Sequence, residues 1–131
     1  MPAKPDQPPR PTDSELEILT VLWSRGPSTV RAVHETIARN RPAQYTTVLK
    51  MLQIMAEKGL VRRNETERAH IYEAARPREA TQRQLAGDLL QRAFGGSAKS
   101  LVMGALSARK ASREELAEIR KLLDQFEKES R

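Results

Sequence analysis

The sequence predicts a mostly α-helical protein, with an N-terminal winged helix-turn-helix domain (three helices plus a β-hairpin wing) followed by a helical dimerisation region. Three observations support this prediction. Apolar residues recur at helical spacing from residue 12 to residue 60, the spacing then changes to two over a pair of short runs, and helical spacing returns from residue 79. We therefore predict a disordered leader over residues 1–11, a winged-helix domain over 12–76 and a second helical domain over 77–131.

Helix one is predicted to begin at a capping box, Thr12-Asp13-Ser14-Glu15, in which Glu15 stands three residues after the capping threonine. Its apolar stripe includes Trp23, which we expect to pack in the core, and it ends at Arg25-Gly26. Helix two is predicted from about Thr29 to Arg39, because a turn proline and a capping hydroxyl precede apolar residues at helical spacing. Ser28 is interpreted as a cap here.

Helix three is predicted over the stretch from Tyr45 to Leu60, and Gly59 supplies its left-handed end. One face is apolar and should meet the core: Val48, Leu49, Leu52, Met55 and Ala56. The opposite face is rich in hydrogen-bonding groups at its N-terminal end: Thr46, Thr47, Lys50, Gln53, Ile54 and Glu57. Helices two and three are joined by a short polar turn, which makes a helix-turn-helix arrangement.

The wing is predicted from two short runs, 60–63 and 69–72, which have the alternation of strands. Residues 64–68 between them are polar and have the length of a hairpin loop. Three helices followed by a hairpin make a winged helix. The alternative, a three-helix bundle followed by an irregular loop, leaves Val61, Ile71 and Tyr72 without an obvious role.

The C-terminal region is predicted to contain three helices: Glu79 to Phe94, Ser97 to Leu106, and a last helix that begins at the capping box Ser112-Arg113-Glu114-Glu115. Apolar residues of the last helix step by 3, 4 and 3, which is the seam of a helix that needs a partner surface. We predict a homodimer, with packing back onto the winged helix as the alternative. The predicted dimerisation residues are Leu85, Leu89, Phe94, Leu101, Leu116, Ile119, Leu123 and Phe126.

Composition limits the function. The chain has 23 basic and 17 acidic residues and a net charge of +6, which suits a polyanionic partner. Eight basic and four acidic residues lie between residues 39 and 76, so the positive excess falls on helix three, the turn before it and the wing. The absence of cysteine excludes disulfides and thiolate metal sites. With no apolar run long enough to span a bilayer and no secretion signal, we expect no membrane insertion and a cytoplasmic location.

Residue chemistry suggests how DNA would be bound. The Thr46 and Thr47 hydroxyls and methyls suit base edges, while Lys50 suits guanine or a phosphate. Gln53 suits adenine or a phosphate. The start of helix two favours phosphate oxygens, although Ser28 is alternatively only a cap. The DNA-binding residues predicted in this way are Ser28, Thr29, Arg31, Thr46, Thr47, Lys50, Gln53, Arg62, Arg63 and Arg68.

Catalysis has no evident site. The two histidines, His34 and His70, are far apart in sequence and have no nearby ligand cluster, so we expect no metal, no cofactor and no enzyme activity. A rival function is a winged helix that binds a protein partner through helix three, for which Met51 and Ile54 near its exposed face would be suitable.

Four segments carry a family resemblance: PTDSELEILTVLW, STVRAVHETI, YTTVLKMLQIMAEKGLV and RAHIYEA. They resemble the penicillinase repressor (BlaI/MecI/CopY) family over about Pro11 to Ala75, and the likeness continues more loosely through KSLVMGAL and the last helix. The resemblance implies a dimeric winged-helix repressor that binds a palindromic operator and is released by a signal. By matching position it implies residues at the operator groove and around the wing: Tyr45, Thr46, Thr47 and Lys50, then Arg62, Arg63, Arg68 and His70.

Two departures from the family concern release. Antibiotic-responsive members are cleaved at an Asn-Phe bond, but the matching segment here, Lys99 to Val102, is followed by Met103-Gly104-Ala105. Copper-responsive members carry Cys-x-Cys pairs, which this chain lacks. Neither mechanism carries over. A signalling protease stays a candidate partner through a loop expected around Gly104.

Overall fold

The structure, a computed structural model, describes residues 9–66 and 68–130. Most of the predicted leader (residues 1–8) and one residue of the predicted hairpin loop (Glu67) lie outside the described residues. The elements in order are α1 (Asp13–Arg25), β1 (Ser28–Thr29), α2 (Val30–Ala38), α3 (Tyr45–Lys58), β2 (Val61–Asn64), β3 (Ile71–Ala74), α4 (Arg78–Phe94), α5 (Ala98–Ala108) and α6 (Arg113–Glu129). Two compact units divide between Ala86 and Gly87.

The first unit is a winged helix, as predicted. Helices α1, α2 and α3 pack around one apolar core, and the strands form an antiparallel sheet in the order β1-β3-β2. The core residues are Ile18, Leu19, Leu22, Val30, Val33, Ile37, Val48, Leu52, Met55, Leu60, Val61 and Tyr72. Because both wing strands contribute to this core, the irregular-loop alternative is wrong.

The helix starts follow the predicted capping chemistry with one correction. Thr12 and Glu15 form the full capping box, since each backbone N–H donates to the other's side chain at 2.9 and 3.2 Å. The cap of α2, however, is Thr29, whose Oγ1 accepts from Ala32 N at 3.1 Å. The interpretation of Ser28 as a cap is therefore wrong. Ser28 lies in β1, a strand too short to show alternation in the sequence.

The wing strands begin one and two residues later than predicted. Gly59 adopts a left-handed conformation with φ of 83°, and Leu60 N donates back to Met55 O at 2.9 Å, so residue 60 still belongs to the end of α3. In the register of the hairpin, Arg62 pairs with Glu73 and Arg63 pairs with Tyr72. Tyr72 is among the largest fully buried side chains.

The second unit contains the end of α4, α5 and α6. Gly104 lies inside α5, where an added Cβ would approach the ring of Phe94 to 3.3 Å, so the loop expected around Gly104 is wrong. Ser112 caps α6 by accepting from Glu115 N at 3.0 Å. Several large apolar side chains of this unit stay exposed: Leu89, Val102, Met103, Leu106, Leu122, Leu123 and Phe126. None of the helices described combines the length and apolarity needed to span a bilayer.

Candidate nucleic-acid interface

Helix α3 presents the two faces that its sequence predicts. Val48, Leu52 and Met55 are buried, whereas the side chains on the opposite face are exposed: Thr46, Thr47, Lys50, Gln53, Ile54 and Glu57. Gln44 stands at the N-cap without a side-chain cap hydrogen bond. The first turn of α3 therefore offers two threonine hydroxyls and backbone N–H groups to an acceptor outside the protein.

Two carboxylates of α1 fix the position of α3. Glu15 Oε2 accepts from Lys58 Nζ at 2.8 Å near the C-terminal end of α3. Before its N-terminal end, Arg41 Nε donates to both carboxylate oxygens of Glu17 at 3.1 and 3.0 Å. These pairs join residues 43 and 24 positions apart in sequence, so no local pattern could have predicted them.

Both carboxylates have a lowered pKa. Burial of Glu15 would by itself raise its pKa, but the hydrogen bonds from Lys58 and from the backbone and side chain of Thr12, together with the charge of Lys58, outweigh this effect and bring the pKa below the usual value. Hydrogen bonds from Arg41 lower the pKa of Glu17. Both residues are therefore held in the charged form that the ion pairs require.

His34 fixes the turn before α3. Its Nε2 lies 2.8 Å from the carbonyl oxygen of Ala43, and since a carbonyl only accepts, this nitrogen carries the hydrogen. The imidazole also meets the ring of Tyr45 edge-on, with centroids 5.8 Å apart. Within the described residues no group of three or more histidines, cysteines and acidic residues could hold a metal ion.

A cleft of about 490 Å³ opens beside the first turns of α2 and α3 and against the wing. Five residues of the predicted interface line it: Thr29, Arg31, Tyr45, Arg68 and His70. The rest of the described lining is apolar apart from the hydroxyl of Tyr72: Val30, Leu49, Ala69 and Tyr72. No described lining residue is acidic. The cleft therefore joins three elements distant in sequence into one surface that suits an anion.

The cations near this surface differ in whether they are already paired. The side chains of Arg31, Lys50 and Arg68 form no hydrogen bond or ion pair within residues 9–66 and 68–130. Arg62, by contrast, donates from Nη2 to Ala75 O at 2.9 Å, and its Nη1 lies 3.8 Å from Oε1 of Glu73. Arg63, which stands opposite Tyr72 in the register of the hairpin, forms an ion pair with Glu65. As successive residues of β2, Arg62 and Arg63 also lie on opposite faces of the sheet.

Ser28 is the predicted site residue that the structure withdraws from the surface. It is 5% exposed, and its hydroxyl donates to Gly26 O at 2.8 Å. A phosphate contact would need this hydrogen bond to break, so Ser28 does not belong to the exposed interface. Thr29 is partly buried and lines the cleft, and Gln53 lies on the exposed flank of α3.

A sequence profile described as penicillinase repressor matches residues 11–125. The chain belongs to the penicillinase repressor family. The family is one of transcriptional repressors, and the match covers both units, including the part of α4 to α6 where the resemblance read from the sequence is looser. The family prediction is therefore confirmed.

Individual relatives give the degree of similarity. The transcriptional regulator BlaI of Mycobacterium tuberculosis is 40% identical over 82 residues, which are 62% of this chain and 59% of that protein, so the chain matches less than two thirds of that relative's length. The penicillinase repressor of Staphylococcus aureus is 18% identical over 115 residues, 88% of this chain and 91% of that protein. The solution structure of the Bacillus licheniformis BlaI monomeric form in complex with the blaP half-operator has 20% identity and a TM-score of 0.49, over 56% of this chain and 89% of that one.

Proposed function

We propose that this chain is a transcriptional repressor that binds double-stranded DNA through α3 and the adjacent cleft. The observation that carries the proposal is the exposed first turn of α3 beside a cleft whose described lining includes Arg31 and Arg68 and no carboxylate. Membership of a repressor family, and relatives named as repressors or regulators, support it.

Helix α3 would enter the major groove with its N-terminal turn. Thr46 and Thr47 would contact base edges, and Lys50 one turn later would reach guanine or a phosphate. Gln53 on the flank would contact adenine or a phosphate. Tyr45 is 44% exposed at the mouth of the cleft and would pack against the sugar-phosphate backbone.

The wing and the start of α2 would bind phosphates. Arg31, Arg68 and His70, with Thr29, surround the cleft, and neither arginine has an ion pair among the described residues that must break before it contacts DNA. Arg62 and Arg63 remain candidate phosphate contacts, but each would first exchange an internal partner for a phosphate. We therefore expect them to contribute less than Arg68.

The repressor would act as a homodimer on a palindromic operator. In the second unit Leu123 is 57% and Phe126 64% exposed, although both belong to the apolar stripe of α6. A second copy of this surface would bury them around a two-fold axis, together with the other predicted dimerisation residues. The DNA-binding domain would then span residues 12–76 and the dimerisation domain residues 77–131. The half-sites of the operator would lie about 10 bp apart or a multiple of this. It would act in the cytoplasm without a cofactor. An unknown signal would release it from the operator, and a signalling protease is a candidate for delivering that signal.

Selection of bound duplexes from a random pool tests this function. We expect an enriched palindrome, because a two-fold dimer reads the same half-site twice. Recovery of random sequences at physiological salt would contradict sequence-specific repression. It would favour the second candidate, a winged helix that binds a protein partner, for which the 38% exposure of Ile54 on α3 is the specific observation. Sizing with and without duplex, beside a gel shift on the DNA upstream of the chain's own gene, would distinguish the two.

A further inference from the structure

The connector between β3 and α4, residues 75–77, forms hydrogen bonds with three other parts of the first unit. Ala75 N donates to Leu60 O, in the turn between α3 and β2, at 3.0 Å. Arg62 Nη2 on β2 donates to Ala75 O at 2.9 Å, and Trp23 Nε1 on α1 donates to Arg76 O at 3.0 Å. Both carbonyls of the first two connector residues are thus bound by long side chains from elsewhere in the first unit.

The start of α4 is held in the same place. The guanidinium of Arg78 lies 5.9 Å from the ring centroid of Trp23, and its Nη2 donates to Ser24 Oγ at 3.3 Å. Pro77 O accepts from Ala80 N at 3.1 Å, and Thr81 in the first turns of α4 is 5% exposed. Trp23 therefore contacts both the connector and the residue that begins α4.

The hydrogen bond of Trp23 is additional to the packing of its ring against the core. Water can bind the carbonyls of a surface loop, whereas ordering an arginine and a tryptophan costs side-chain entropy. Their effect is on geometry, since a connector bound on both carbonyls leaves α4 few directions in which to leave the winged helix. We propose that Trp23, assisted by Arg62, is a positioning residue that fixes the direction of α4 and thereby the half-site spacing that the dimer accepts.

This inference rests on the proposed function, and its consequence is specific to two-site binding. Once one winged helix is bound, the second half-site is reached within the same complex, at an effective concentration set by the freedom between the two. A fixed α4 concentrates the second winged helix at one spacing. A loosened α4 spreads it over several spacings, while binding to an isolated half-site stays the same.

The test is Trp23→Phe in the full chain, which keeps an aromatic ring but removes the N–H that binds Arg76 O. Affinities are measured for a half-site duplex and for palindromes whose centre is lengthened or shortened by one and two base pairs. Losing one neutral hydrogen bond shifts the equilibrium between the held and the loosened connector about fivefold. We expect the affinity for the best palindrome to fall by about that factor, the discrimination against altered spacings to shrink, and the half-site affinity to stay unchanged.

Thr20→Ala is the matched control. It also removes one side-chain hydrogen bond from α1, the 2.8 Å bond of Thr20 Oγ1 to Leu16 O, but this bond does not touch the connector. It should leave the spacing profile unchanged. Pro77→Gly, at an exposed connector position, is a second variant that loosens the connector through its backbone, and it should reproduce the effect of Trp23→Phe. Since Trp23 is the chain's single tryptophan, its emission in Pro77→Gly should also shift to longer wavelength.

The outcomes separate the two proposals. If wild-type protein bound no half-site or palindrome, the proposed function would fail and this inference with it. If wild type bound DNA, but both folded variants kept its spacing profile, the positioning role alone would be overturned. An equal loss on half-site and palindrome would also overturn it, because Trp23 would then support the winged helix itself.

Discussion

Arg31 and Arg68 are the cations whose removal tests the proposed interface most directly. Both line the cleft beside α3, and neither has a partner within the described residues. Replacing each with alanine should weaken binding about equally for every DNA sequence, because phosphates carry no base identity. The salt dependence should change in proportion to the number of phosphates that the variant no longer binds.

The expected size follows from counterion release. Each phosphate contact contributes about 0.9 to the slope of log affinity against log salt concentration. In a symmetric dimer one substitution removes two such contacts, so the slope should become shallower by about 1.8. Between 50 and 200 mM salt, wild-type affinity should therefore fall about twelvefold more than that of Arg31→Ala or Arg68→Ala.

Anisotropy titrations of a labelled duplex at several salt concentrations measure these slopes. Arg39→Ala is the matched control, because it removes the same charge from an exposed residue at the opposite end of α2 from Arg31. Equal slope changes in all three variants would mean that the basic residues act as a diffuse field, and the cleft would not be a phosphate site.

Further changes test other parts of the protein. Lys50→Ala should relax sequence preference at one position per half-site in a repeated selection; a uniform loss of affinity would instead indicate a phosphate contact. Arg63→Ala should change the salt slope by less than half as much as Arg68→Ala, and an equal change would mean that its pair with Glu65 exchanges freely. Phe126→Asp should weaken the dimer about 100-fold in sedimentation, since each substitution acts twice across a two-fold axis, and an unchanged dimer would contradict the role of α6.

Glu15 provides a test by pH. Because its pKa is lowered in the fold, its stabilisation is complete above the ordinary value of 4.5 and is lost as pH falls through the lower folded value. Glu15→Gln should lower the free energy of unfolding by about 1 kcal/mol at pH 7. Near pH 3 the melting temperatures of the variant and the wild type should lie closer together. Melting curves across this range measure the difference. A constant gap from pH 7 to pH 3 would contradict the charged capping box.

Local signals explain how much of the fold is predictable. The capping box at Thr12, the left-handed Gly59 and the apolar stripe of α3 all act within a few residues, so a sequence pattern contains them. Strand β1 gives no signal because a two-residue strand has no period, and Ser28 resembles a cap because it precedes the true capping threonine by one position. A hydroxyl cap for α2 is therefore predicted correctly, but one residue too early in the chain.

The partners of the cations are beyond the reach of sequence. Arg62 and Arg63 have the composition of phosphate contacts, but whether an arginine is available depends on which carboxylates and carbonyls the hairpin register places beside it. Glu73 faces Arg62 only because of that register. Charge density along the chain therefore indicates the basic region over residues 39–76, while the choice of Arg68 within it, and of Arg31 outside it, requires the tertiary structure.

Helix α1 connects these findings. It carries Glu15, which binds Lys58 in the last turn of α3, and Glu17, which binds Arg41 in the turn before α3. It also carries Trp23, which binds the connector before α4. None of these residues lines the cleft, yet each holds an element whose orientation decides what the cleft and α3 can contact. Since binding depends on angles as well as on contacts, α1, which contributes no described residue to the lining of the cleft, should influence both the bases read in one half-site and the distance to the next.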